Sequence, residues 1–295
     1  MVNGFRLRRV QPQDLEQVAF IESQATPGLR YLGSVFDLFL NDHEGEFSVA
    51  EVNGRLVGCG KFTVLPDGSA WLESLRVLPD YQGLGVGKCF YRRFFEVARQ
   101  KEIDTMRMYT SIGNRASKGL AERFGFTKAA TYRGARQILN KGNQKTSIRG
   151  GFHRVTVPQR GCRLLMPHSQ RWTGFVVMNR TFYPVTPELC SAWAADGNLY
   201  EDRLSGSVIA LGARFMPEHS LHIAFAHGDM DRLLAFARQR AVEIGARRLQ
   251  CMYPPNNDDL ESFLLPEGFQ LDDYDCIVME ARLPNRPGCS GQARV

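Results

Sequence analysis

The sequence predicts a mixed α/β protein made of two similar halves. Three observations carry this. Strand and helix signals alternate through the first half, two tight-turn dipeptides mark hairpins there, and a set of spaced residues recurs in the second half in one register. With 295 residues, the length favours two domains.

The elements follow in order. Phe5–Val10 reads as a strand. Pro12 opens an apolar-periodic helix through Ile21, with Asp14 and Glu16 in its first turn, and Thr26-Pro27-Gly28 breaks it. Ser34–Leu40 is a short second helix. Asn53-Gly54 joins the strands Phe47–Val52 and Arg55–Val64, and Asp67-Gly68 turns the chain into the strand Ala70–Val77. A glycine-rich turn over Gln82–Gly87 leads into a helix to about Gln100, with Val86, Phe90, Phe94, Val97 and Ala98 on one face. Thr105–Thr110 is a strand, Asn114 to Phe124 a helix stopped by Gly125, and Phe126–Arg133 a strand. At an offset of 143, Met106–Thr110 falls on Leu249–Tyr253, Asn114 on Asn257, Gly125 on Gly268 and Phe126 on Phe269. The implied organisation is a first domain over 1–139, a polar linker over 140–161, a second domain over 162–283 and a tail over 284–295.

Composition excludes several classes. Hydrophobic residues are 43% and charged residues 23%, which is ordinary for a globular chain and too apolar for disorder. No apolar run reaches membrane-spanning length, and Met1–Arg6 lacks the apolar core of a signal peptide. The seven cysteines are irregularly spaced without a C-x-x-C pair, which fits free thiols in a reducing cytoplasm. His219 and His222 form the one H-x-x-H pair, weak ground for a metal, so none is expected. Residues 1–150 carry 22 Lys+Arg against 15 Asp+Glu, while 151–295 carry 15 against 16, so the first half should hold any anionic ligand. No basic stripe interleaved with aromatics points to nucleic acid.

The sharpest motif runs from strand through turn to helix, Ser74-Leu75-Arg76-Val77-Leu78-Pro79-Asp80-Tyr81-Gln82-Gly83-Leu84-Gly85-Val86-Gly87-Lys88. Three glycines let the main chain approach a ligand closely, and the helix adds free N–H donors and its positive end, a cradle suited to a pyrophosphate. A dinucleotide fingerprint begun at Gly83 would need glycine where Lys88 stands. A P-loop ending at Gly87-Lys88 would need glycine at Gln82 and a hydroxyl residue at Cys89.

Here the sequence resembles the GNAT superfamily of N-acetyltransferases, whose acetyl-CoA motif [Q/R]-x-x-G-x-[G/A] is met by Gln82-Gly83-Leu84-Gly85-Val86-Gly87. The likeness covers residues 5–135 and, taken with the internal repeat, implies tandem GNAT domains. It implies a bulged strand whose main-chain N–H groups at Leu75 and Val77 pair with pantetheine. It implies loop amides from Gly83 to Lys88 on the pyrophosphate, and Asn114 touching CoA. Arg76 and Ser117, three residues beyond Asn114, complete the implied cofactor set.

The implied reaction passes acetyl from a thioester to an amine. An alkylammonium near pKa ~10.4 must lose a proton first, which a nearby carboxylate assists. Glu73 is the candidate base, against a surface or salt-bridged role with Arg76 or Arg107. Strand alternation places it with Leu75 and Val77 on one face and Leu72, Ser74 and Arg76 on the other. The Leu75 N–H is the candidate oxyanion donor. The family's tyrosine seven residues beyond the asparagine is absent, because Ala121 stands there. A thiolate, with thiol pKa near ~8.5, leaves tolerably unaided, and Tyr109, Tyr132 or Tyr31 is a candidate substitute, among which the sequence does not choose.

In the second half the cradle is reduced to His227-Gly228-Asp229-Met230-Asp231, whose aspartates would repel a pyrophosphate. That half is expected to shape the acceptor pocket, with Trp172, Trp193, Phe182 and Tyr183 as pocket or core residues. The pairing resembles the histidine N-acetyltransferase-like branch. The expectation is a cytoplasmic acetyl-CoA-dependent N-acetyltransferase, monomer or homodimer, acting on a small-molecule amine. The alternatives are a protein N-terminal or lysine acetyltransferase and a non-catalytic acyl-CoA sensor.

Overall fold

A computed structural model describes residues 4–139 and 151–284. The tail beyond Pro284, with Cys289, and residues 140–150 of the expected linker lie outside the described residues.

The first half runs β1 (Arg6–Arg9), α1 (Leu15–Ala25), α2 (Leu32–Leu40), β2 (Glu46–Val52), β3 (Arg55–Val64), β4 (Ala70–Val77), α3 (Val86–Gln100), β5 (Thr105–Ser111), α4 (Arg115–Glu122) and β6 (Thr127–Ile138). The second half runs β7 (Phe152–Arg154), α5 (Pro158–Leu165), β8 (Phe175–Met178), β9 (Thr181–Pro184), α6 (Pro187–Asp196), β10 (Leu199–Asp202), β11 (Ser207–Gly212), β12 (Leu221–His227), α7 (Met230–Glu243), β13 (Arg248–Tyr253), α8 (Asp258–Leu264), β14 (Gln270–Leu271) and β15 (Cys276–Arg282). Residues 151–161 are therefore not plain linker, because β7 and the first turn of α5 fall there.

The second half repeats the first, with the β8–β9 hairpin inserted. Asn114 and Asn257 each precede a short helix, at α4 and α8. Gly125 and Gly268 both adopt left-handed backbone, at φ 83° and 86°, which glycine tolerates without penalty. The following phenylalanine N–H closes each helix end, Phe126 on Ala121 O and Phe269 on Leu264 O.

Both halves share one 13-stranded sheet, ordered β1-β2-β3-β4-β5-β15-β6-β13-β12-β11-β10-β7 with β14 beside β6. The connection between halves is an exchange of strands. Thr127–Tyr132 of β6 pair with β15, while Arg133–Ile138 of the same strand pair with β13. In return β15, from the chain's last described strand, fills the slot between β5 and β6. Gly134 sits at the crossover, where a Cβ would stand 2.2 Å from the Asp272 carboxylate. Helix α3 packs Phe90, Phe94 and Val97 on one face of the first sheet, and α1 and α2 pack Val18, Ile21, Val35 and Phe39 on the other. Trp71 and Tyr132 of the first half are buried in the core of the second.

Candidate functional site: a main-chain cradle beside a bulged strand

The cradle forms because its sequence cannot continue β4 or begin α3 early. Leu78 is extended, Pro79–Tyr81 make one 3-10 turn, and Gln82 is extended again. Gly83 and Gly85 follow in left-handed backbone, at φ 76° and 95°, which side-chain-bearing residues occupy only at a cost. Gly85 is the N-cap of α3, and Cys89 N–H to Gly85 O is the helix's first main-chain bond. The amides of Val86, Gly87 and Lys88 precede it and face out of the positive helix end. Gly87 has a packing role, since a Cβ there would stand 2.8 Å from Leu120 of α4. Gln82 braces the loop by donating from Nε2 to Val77 O at 3.0 Å. Leu84 and Lys88 are exposed at the rim. These donors and this charge fit a diphosphate.

Strand β4 is bulged where that ligand's arm would run. Arg76 lies opposite Cys59 and Glu73 opposite Lys61, so Ser74 and Leu75 share the space facing Gly60. Ser74 is left-handed at φ 57°. The extra residue resets the alternation. Leu72, Leu75 and Val77 pack on the α3 face, whereas Trp71, Glu73 and Arg76 face α1, α2 and the second half. Glu73 is thus not on the face of Leu75 and Val77, contrary to simple alternation. β4 pairs with β5 only from Ala70 to Leu72, so Leu75 and Val77 lie where the two strands have parted.

Asn114 and Ser117 meet each other: the Asn114 carboxamide accepts the Ser117 N–H at 3.1 Å, an ordinary helix cap, leaving its Nδ2 open.

On the opposite face, Glu73 is buried and held by three hydrogen bonds. Arg214 grips it bidentately, Nη1 to Oε2 and Nη2 to Oε1, both at 2.8 Å, and Thr63 Oγ1 donates to Oε1 at 2.6 Å. Burial opposes the Arg214 charge, but Glu73 with Tyr183 and Tyr31 together outweighs it and holds the guanidinium protonated beyond its usual range. Arg107 is elsewhere, bound to Asp67 and Glu280. Arg214 and Phe215 project from a loop fastened by the β8–β9 turn. Asn179 Oδ1 accepts Arg214 N–H at 2.7 Å, and its Nδ2 donates to Phe215 O at 3.1 Å. Phe215 stacks on Tyr31 with ring centres 5.6 Å apart.

The Tyr31 hydroxyl lies 2.8 Å from Ser74 Oγ, at the bulge itself. Glu22 positions it by accepting the Tyr31 and Leu32 N–H groups on Oε2. Burial raises the pKa of both Glu22 and Tyr31. Glu22 Oε1 and Arg76 Nε are buried without a partner among the described residues. Tyr132 is committed elsewhere, donating to the carbonyls of Trp172 and Phe175. Tyr109 lies flat against Trp71. Lys61 is fully buried and paired with Asp42.

Of the aromatic residues singled out in the second half, Trp172 and Trp193 are core, packed on Phe225 and Tyr183. Phe182 touches Trp71, Tyr109 and Tyr132 at the seam. Sequence reading missed Arg214, Phe215, Asn179 and Glu22. Asn179-Arg180 is a recognisable turn signal, with both residues left-handed, but nothing local reveals what that turn holds. In the second half only Gly228 and Asp229 separate β12 from α7, against the eight residues Leu78–Gly85 between β4 and α3. The Asp229 carboxylate caps α7 by accepting the Arg232 N–H. Among the described residues no group of three His, Cys, Asp or Glu side chains is placed to hold a metal.

Residues 11–126 match the family model of the acetyltransferase (GNAT) family. No curated protein matches the sequence. The fold over 96% of the chain is similar to that of a Pyrococcus horikoshii protein described as an acetyltransferase, at 20% identity and TM-score 0.63 over 91% of that chain. It is similar to a GCN5-related N-acetyltransferase from Sphaerobacter thermophilus, at 14% identity and TM-score 0.63, over 96% of each chain. A tandem GNAT protein from the clavulanic acid biosynthesis pathway aligns at 15% identity and TM-score 0.57, over 96% of this chain and 100% of that one. The cradle and bulged strand thus lie in a GNAT acetyltransferase domain, and the chain as a whole has the fold of a tandem GNAT protein.

Proposed function

We propose that this chain transfers an acetyl group from acetyl-CoA to the amine of a small molecule, using the first half as the catalytic unit. The observation that carries the proposal is the continuity of one strand and one loop: β4 bulges at Ser74, parts from β5 beyond Leu72, and ends in a cradle opening α3. The amides of Gly83 to Lys88 would hold the diphosphate, with the Lys88 ammonium at the rim. The main chain at Leu75 and Val77 would align the thioester-bearing arm, and the Leu75 N–H would stabilise the oxyanion as the amine attacks. Gln82 and Gly87 act through the loop's shape, as does Asn114 with Ser117 through α4.

Glu73 is the proposed base. Its Oε1 accepts two hydrogen bonds and its Oε2 one, which leaves an open lone pair on Oε2. A water there can relay the amine's proton. Tyr31, hydrogen-bonded to Ser74 beside Leu75, is the proposed proton donor to the departing thiolate, in the role vacated at Ala121. The loop of Arg214 and Phe215 covers this face, which favours a small acceptor over a protein chain. The units are proposed to divide near 139 and 162, each completed by the other's strand. The second half, without a cradle, would serve as the wall of the acceptor site.

The test is free-thiol release from acetyl-CoA across a panel of amines. We expect turnover in the wild type, and Glu73→Gln turnover lower by ~10²-fold or more with CoA affinity retained. Unchanged turnover in that variant removes Glu73 from the mechanism. CoA binding with no thiol release from any amine would favour a non-catalytic acyl-CoA binder.

A further inference from the structure

Away from the cradle, one face of the second half's sheet carries a polar row across four strands. His222 of β12 lies opposite Gln250 of β13, Gln250 opposite Arg136 of β6, and Arg136 opposite Gln270 of β14. Partners in register point to the same face, and Arg248, two residues before Gln250, joins them. Arg180, at the tip of the β8–β9 hairpin, reaches the same place and shares the Asp272 carboxylate with Arg136, its Nη2 at 3.1 Å from Oδ2.

The charges do not balance. Three guanidinium groups face one carboxylate, leaving two positive charges in surplus, although Arg180 also donates from Nη1 to Cys276 Sγ at 3.7 Å. Arg248 bonds only the Ser220 hydroxyl, and among the described residues no carboxylate lies within ion-pair distance of it. Residues 1–3, 140–150 and 285–295 contain no aspartate or glutamate that could supply the missing charge. Burial, with Arg136 and Arg180 nearby, depresses the Arg248 pKa, an unusual state for arginine. His222 is 4% exposed, its Nε2 is buried without a partner among the described residues, and burial, with Arg248 and Arg180 adding to it, keeps it neutral. The guanidinium groups are half-buried, Arg136 and Arg180 keeping 36% of their side-chain surface, so water screens part of their repulsion; like charges crowded beside a buried, unsatisfied imidazole are still relieved by an anion that completes the group.

We propose that Arg136, Arg180, Arg248 and the His222 imidazole form a binding site for a small, doubly charged oxyanion. Guanidinium forks suit such oxygens bidentately, and the Nε2 position suits a donated N–H. Phosphate esters and polycarboxylates share this chemistry. The site stands apart from the acetyl-transfer reading and does not require it.

The experiment measures binding of inorganic phosphate and of citrate by calorimetry and thermal melting, at constant ionic strength set with chloride. Wild type, Arg248→Gln and Arg180→Gln are compared. We expect at least one anion to bind and raise the melting temperature, and each variant to bind it at least about tenfold more weakly. Arg248→Gln without anion should melt no lower than wild type, because repulsion is relieved. Binding of phosphate alone identifies a phosphate ester as the ligand type, and binding of citrate alone a polycarboxylate. Binding of neither at ~10 mM overturns the proposal. So does binding undiminished in both variants, which would place the anion elsewhere, such as at the Gly83–Lys88 cradle.

Discussion

Replacing Arg214 by methionine tests the clamp on Glu73 directly. The two side chains are 15% and 6% exposed and joined by two 2.8 Å bonds, so the pair is buried and well aligned. Removing the guanidinium leaves the Glu73 carboxylate with only the Thr63 hydroxyl. Breaking a buried pair from one side costs about 3–5 kcal/mol, since the remaining charge stays desolvated. Replacing both partners, as in Glu73→Gln with Arg214→Met, removes that charge, and the double variant should lie within ~1 kcal/mol of wild type. Urea unfolding of the four proteins gives the coupling. The pair joins residues 141 apart in sequence and spans the two halves, so Arg214→Met should also loosen the Phe215 loop over Tyr31. A cost below ~1 kcal/mol for Arg214→Met would mark a solvated surface pair and refute the clamp.

Three further outcomes are expected. Tyr31→Phe should lower kcat by ~10²-fold with CoA affinity unchanged, and kinetics equal to wild type would exclude it as proton donor. Burial lowers the His222 pKa to about 3 in the folded protein, so its neutral form contributes stability present above the unfolded value near ~6.5 and lost as pH falls toward 3. His222→Asn should therefore show a stability loss between pH 7 and pH 4 smaller by ~1 kcal/mol or more, and an identical acid slope would refute it. Ending the chain after Asp275 removes β15 and should abolish CoA binding by the first half; retained affinity would show that β5 and β6 do not need that strand.

The sequence made local features legible. The cradle, its glycines, the Asn53-Gly54 hairpin and the repeated Gly-Phe helix ends each depend on a few neighbouring residues, and all lie as expected. The family resemblance implies a bulge in this strand but not its position, and the inserted residue at Ser74 inverts the two-residue period, so simple alternation puts Glu73 on the wrong face. Arg214, Asn179 and Glu22 escaped notice for a different reason: their partners are fixed by tertiary placement. Asn114 was legible both as a cofactor contact and as a helix cap, and the cap is what the fold displays.

The exchanged strands also bear on how the protein is made. A chain emerging from the ribosome has produced β5 and β6 some 140 residues before Cys276–Arg282 exist to sit between them. Until then the N-terminal sheet carries two open edges, ready to pair with any passing strand. Completion of the first half's sheet is thus deferred until Cys276–Arg282 have been made, a delay that a fold closed by its own local strands does not have.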